Sequence, residues 1–136
     1  KGDPGSEIVL LCETLTTGGA ETFALRLAAA MKERGYQVCL AVLRGDRVER
    51  DLVASIAPLV PVEVCRPRGL RNLMRFDGLL QRLGVDFSLL RWLQQRWLVR
   101  LLSRRAAGLV HSHLITSDLV AARACADARV PWLSTM

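Results

Sequence analysis

Several familiar chemistries lack the residues they need in this chain. The four cysteines, Cys12, Cys39, Cys65 and Cys125, form no C-x-x-C pair and show no metal-ligand spacing, so neither a zinc module nor a redox dithiol is expected. Three of them sit within apolar runs, which points to buried free thiols in a reducing compartment and not to a disulfide framework. There is no G-x-S-x-G elbow for a serine hydrolase, no Gly-Lys-Ser/Thr for a P-loop and no G-x-G-x-x-G for a nicotinamide cofactor. No apolar run approaches the roughly 18 to 20 residues of a membrane-spanning helix, and no basic-apolar-small signal segment opens the chain. A soluble or peripheral protein is expected. Aromatic residues make up only 5% of the chain, with little of the interleaving that stacks bases, so no nucleic-acid partner is expected.

What the chain does hold is apolar substance, 51% of 136 residues, enough for one domain that buries about two thirds of its extended surface. Residues 1–6 have turn composition and no initiator Met, and read as an expression remnant or flexible leader outside the fold. The domain is expected over 7–136. Glu7 to Cys12 is a continuous apolar run suited to a strand covered on both faces. A helix is expected from about Ala20 to Arg34, with Phe23, Leu27, Ala30 and Met31 at helical spacing and Gly35 just past its end. Gln37 to Leu43 then reads as a second buried strand. A weaker helix over Val48 to Ile56 is stopped by Pro58, and Val62 to Cys65 makes a short third strand. Leu70 to Ala107 has helical periodicity with a break near Gly84. After it come a strand over Leu109 to His111, a helix over Ser117 to Ala128 with Asp118 near its start, and a strand over Trp132 to Ser134. This alternation predicts an α/β fold, a Rossmann-like doubly wound parallel sheet with helices on both faces. Ligands of such sheets bind outside the carboxyl ends of the strands.

Two motifs fall at those ends. Thr16-Thr17-Gly18-Gly19-Ala20-Glu21 joins the first strand to the first helix. A glycine pair there presents bare backbone N–H groups and the positive end of a helix dipole, which is a seat for a phosphate. The plainer reading is a tight strand-to-helix turn, Gly18 at the N-cap and Glu21 at N3, with nothing bound. The second motif is His111-Ser112-His113. Residues two apart on a strand share a face, so both imidazoles would look to one side, next to the glycine turn if the strands are neighbours. No Cys, Asp or Glu accompanies them at ligand spacing, so no metal site is expected, and hydrogen bonding to a sugar or phosphate suits them better. In the plainer reading one histidine is packed and only the other faces the crevice.

The strand followed by Thr-x-x-Gly-Gly-Ala-Glu and a helix, the later Val-His-Ser-His, and the closing Val-Pro-Trp-Leu-Ser-Thr-Met together resemble the N-terminal half of a GT-B glycosyltransferase, most similar to the retaining family 4. The similarity runs from Glu7 to Met136. It implies that Gly18 and Gly19 approach the diphosphate of a nucleotide-sugar donor. Thr17, Glu21, His111 and His113 would lie at the acceptor or sugar side of the cleft. The family often has an acidic residue three positions before the first histidine, where this chain has Gly108. A further histidine is implied just beyond Met136, so no catalytic residue is assigned within the chain, and a C-terminal donor-binding domain is implied outside it. The implied reaction of the full-length enzyme is transfer of a sugar from a nucleoside-diphosphate sugar to a hydroxyl, with retention, in cell-envelope polysaccharide or glycolipid synthesis. It needs no cofactor and no metal. The isolated chain would be inactive. The alternative function on the same sheet is a non-catalytic nucleotide- or ligand-binding domain of flavodoxin-like type.

Charge is unevenly spread. The chain carries a formal +6, but Arg66 to Arg105 holds ten arginines against Asp77 and Asp86, so this segment alone carries +8 and the remainder −2. Leucines and Trp92 and Trp97 interleave with the arginines. An arginine-rich amphipathic segment with tryptophans fits adsorption to an anionic bilayer, giving a cytoplasmic protein docked peripherally on the inner face of the membrane. The plainer reading is a core-packing helix with solvated arginines.

Overall fold

The computed structural model describes residues 6–16, 19–113 and 115–135. Five parallel strands form one sheet: β1 (Glu7–Cys12), β2 (Gln37–Val42), β3 (Val62–Val64), β4 (Ala107–His113) and β5 (Trp132–Thr135), in the order β3-β2-β1-β4-β5. The helices are α1 (Gly19–Glu33), α2 (Arg50–Ile56), α3 (Leu70–Arg82), α4 (Leu89–Arg104) and α5 (Ile115–Ala128).

Pleating sorts the central strands into two cores. Val9, Leu11, Cys39, Ala41 and Val110 point to one face and pack on Leu98, Leu101 and Leu102 of α4 and Val120, Ala121 and Ala124 of α5. Ile8, Leu10, Cys12, Val38, Leu40 and Val42 point to the other, against Ala24 and Ala28 of α1 and Ile56 of α2. Both faces of β1 are therefore dry, which is why its sequence is an unbroken apolar run with no alternation. The doubly wound sheet expected from the sequence is present, with helices on both faces. All four cysteines are buried, and none is in a disulfide.

Helix ends follow local chemistry. Past α1, Gly35 takes φ +88°, and the Tyr36 amide donates back to the Met31 carbonyl at 3.1 Å. Gly84, at φ +77°, ends α3 in the same way, with Val85 N–H on the Leu80 carbonyl at 2.9 Å. The expected break in the 70–107 segment is thus real. Nearby the structure departs from the sequence pattern: α4 ends at Arg104, short of Ala107, and β4 begins at Ala107 and runs to His113, longer than the predicted 109–111 strand at both ends. Its extra residues pair with Glu7 and Thr135, a tertiary contribution that strand propensity does not contain. The helix after it starts at Ile115, ahead of the predicted Ser117, and α2 starts at Arg50, behind the predicted Val48, whose backbone bridges Leu15.

Within the basic segment the two helices differ. α4 buries Gln94, Leu98, Leu101 and Leu102, whereas α3 buries nothing. Asp77 of α3 joins them by accepting from the Ser88 hydroxyl at 2.8 Å and from the Leu89 and Leu90 amides at 2.7 and 3.2 Å, satisfying orphan donors at the α4 N-terminus.

Candidate functional site

Strand order reverses at β1. The chain moves outward from β1 to β2 and β3, then returns through α3 and α4 to place β4 on the other side of β1. The carboxyl ends of β1 and β4 therefore flank the switch point, where diverging connections leave a crevice in sheets of this class. α1 begins at Gly19, so its N-terminus opens toward that crevice. The loop between is anchored through Leu15, whose N–H donates to Arg47 O at 2.9 Å and whose carbonyl accepts from Glu49 N–H at 2.7 Å. Of the residues singled out from the sequence, Thr17 and Gly18 lie outside the described residues. Glu21 is the third residue of α1, and its side chain likewise lies outside them.

The histidines are brought together beside the strand that leads to the glycine turn. His111 pairs with Leu10 in the β1–β4 ladder, and both imidazoles lie on the face covered by α1. Their ring centroids are 4.6 Å apart, and Phe23 of α1 meets His113 edge-on at 5.9 Å. Exposure separates the two. His113 is 3% exposed, whereas His111 is half-buried. Burial holds the His111 imidazole below its ordinary range, with Asp118 pulling weakly the other way. His113 is lowered by burial and then by His111, again opposed by Asp118. Both rings are consequently neutral near neutral pH, each offering one donor and one acceptor nitrogen.

Two buried polar atoms among the described residues have no hydrogen-bond partner: His113 Nε2 and Ser117 Oγ. Both lie where β4 passes into α5. An orphaned buried polar group costs roughly 1–3 kcal/mol, so a pair at one strand end marks a place where a polar ligand atom would be welcome.

The opposite face of the same strand ends carries a network that the sequence reading did not identify. The Asp118 carboxylate accepts from Ser112 Oγ through one oxygen and from Ser134 Oγ through the other, each at 2.5 Å. Trp132 Nε1 donates to Ser112 Oγ at 2.7 Å. One carboxylate thus ties the start of α5 to the ends of β4 and β5. The only sequence signal was an acidic residue in the first turn of a helix; its partners are six and sixteen positions away and meet it through the β4–β5 pairing. Among the described residues no group of three or more Cys, His, Asp or Glu side chains converges as a metal site would require. None of their helices is long and apolar enough to cross a membrane.

Comparison with solved structures gives the same architecture in several settings. The C-terminal domain of a hydrogenase from Pyrococcus furiosus is 17% identical with a TM-score of 0.63, over 99% of this chain and 95% of that one. The apo lipopolysaccharide outer core galactosyltransferase WaaB is 12% identical with a TM-score of 0.66, over 94% of this chain and 32% of that one. MurG of Acinetobacter baumannii is 14% identical with a TM-score of 0.64, over 95% and 34%. At these identities the likeness is one of fold, and the chain spans about a third of the two longer proteins. No curated protein matches the sequence significantly. The model of the glycosyl transferase 4-like domain matches residues 18–136, which include the glycine pair, both histidines and the last strand. The chain belongs to the glycosyl transferase 4-like domain family.

Proposed function

We propose that this chain is the acceptor-side half of a retaining glycosyltransferase, which moves a sugar from a nucleoside-diphosphate donor to a hydroxyl of a cell-envelope polysaccharide or glycolipid. The observation that supports this most is the orphaned His113 Nε2 beside the topological switch point, on the face that α1 covers and next to the α1 N-terminus. In this reading the Gly18-Gly19 turn aims backbone N–H groups at the departing diphosphate and stabilises charge that grows in the transition state. His111 and His113, kept neutral by burial, hydrogen-bond sugar or acceptor hydroxyls, a task that neutral imidazole performs without fixing an unwanted charge. Thr17 and Glu21 complete the acceptor edge. Metal and cofactor play no part, the protein works in the cytoplasm, and the nucleotide is held mainly by a second domain, so the chain alone turns nothing over.

The test is an amide and imidazole NMR titration of this chain with UDP, GDP, ADP and NAD. Nucleoside diphosphates should shift the Gly19 amide and the His113 ring, weakly, with NAD giving no comparable shift. Perturbations confined to other surfaces would overturn the reading. In the full-length protein, Gly19→Val should reduce turnover by well over tenfold at unchanged folding, because a branched side chain intrudes on the diphosphate. Diphosphate binding with no effect of Gly19→Val on turnover would favour a non-catalytic binding domain instead.

A further inference from the structure

We infer that α3 is an interfacial helix that docks this protein on an anionic lipid surface. The inference is independent of sugar transfer. Of the four long helices α3 is the one with no buried residue, and its main packing partner is α4. It is nevertheless fixed in place, since Asp77 caps α4 through three hydrogen bonds. Phe76, Leu79 and Leu83, spaced i, i+3 and i+7, form one outward stripe with exposures of 46, 52 and 69%. Arg71, Arg75 and Arg82, all exposed, form an adjoining row at i, i+4 and i+11. Val85, Phe87 and Trp92 add exposed apolar surface at the turn into α4.

The charges are free to act outward. Arg104 and Arg105, at the far end of α4, are engaged with Glu63 and Glu7 inside the molecule. None of Arg71, Arg75 and Arg82 forms an ion pair with a described residue. From Arg66 to Arg91 there are six arginines against two aspartates, and one of those, Asp77, is committed to the α4 cap.

A continuous apolar stripe bordered by arginines matches the boundary between acyl chains and phosphate headgroups, where each group finds its own solvent. Competing occupants fit less well. A second copy pairing through this face would gather the arginine rows of both copies around one interface, where like charges repel. A nucleic acid would satisfy the arginines and leave the Phe76–Leu79–Leu83 stripe against water.

Co-sedimentation of this chain with phosphatidylcholine vesicles, with and without about one third phosphatidylglycerol, tests the inference. Binding should require the anionic lipid and weaken at high salt. Arg75→Gln with Arg82→Gln should weaken partitioning about thirty-fold, at roughly one order of magnitude or less per charge. Leu79→Glu should abolish it while the far-ultraviolet spectrum and urea midpoint stay unchanged, since Leu79 is not part of the core. Absence of binding, equal binding to neutral vesicles, or variants that bind as the parent does would each overturn the inference. So would self-association in sedimentation equilibrium that Leu79→Glu removes while vesicle binding persists.

Discussion

Asp118 illustrates how much of the candidate site is settled by residues that do not face it. Its carboxylate holds Ser112, the residue between the two histidines, and Ser134 on the neighbouring strand. Asp118→Ala strips the charge-assisted acceptor from the buried Ser112 hydroxyl, leaving it the more distant Leu133 carbonyl, and from the exposed Ser134 hydroxyl, so a loss of about 1–3 kcal/mol is expected in urea unfolding. The same variant removes a carboxylate that raises the imidazole affinities for protons, so both histidines should titrate lower still, as NMR of their ring protons would show. The wild-type histidines also make stability pH-dependent. Their folded values lie below the ordinary value of about 6.5, so the unfolded chain binds more protons on acidification. Stability should be full above that value and fall as pH drops toward the folded values, and urea midpoints of His113→Gln should be flatter across that window. The sequence revealed that the two imidazoles share a face, because strand periodicity fixes it. That one histidine would be packed and the other open was among the sequence alternatives; that the packed one is His113 was not legible, since it depends on where Phe23 of α1 lands.

At the scale of elements, periodicity located both helices of the 70–107 segment and could not tell them apart. Leu79 and Leu98 look alike in sequence, but one lies on an open stripe and the other is fully buried between sheet and α5. Leu98→Ala should cost about 2–5 kcal/mol, and Leu79→Ala within about half a kcal/mol, a contrast readable from paired denaturation curves. What distinguishes them is the neighbouring surface, which a single sequence does not carry. The junction after α4 offers a second check. Ala106 stands at φ +50°, a left-handed conformation that costs an alanine roughly 1 kcal/mol and costs glycine nothing. Ala106→Gly should therefore be neutral or stabilising by up to about 1 kcal/mol, against the usual direction for glycine substitutions.

For the molecule as a whole, the doubly wound class and the place of the two histidines at a carboxyl strand end were legible because buried parallel strands announce themselves as unbroken apolar runs. The same burial governs the thiols. Cys39 is pushed up to about 12 by burial, with Arg105 opposing, and Cys65 and Cys125 to about 11. All four cysteines should resist a thiol-reactive dye in mildly alkaline buffer and all four should react once the chain is unfolded; rapid labelling of the native protein would contradict the buried placement.

The placement of β1 between β2 and β4 has one more consequence, in time. Glu7 lies against Gln37 on one side and Ala107 on the other. On a translating ribosome the first neighbour follows within a few seconds, but the second is still about 100 residues from being made, a wait of roughly 5–20 s at ordinary elongation rates. Throughout that interval the most apolar of the described strands has one bare edge, open to any extended segment nearby. Nascent chains of this sequence should therefore lean on holdase chaperones until the His-Ser-His strand emerges and closes the gap.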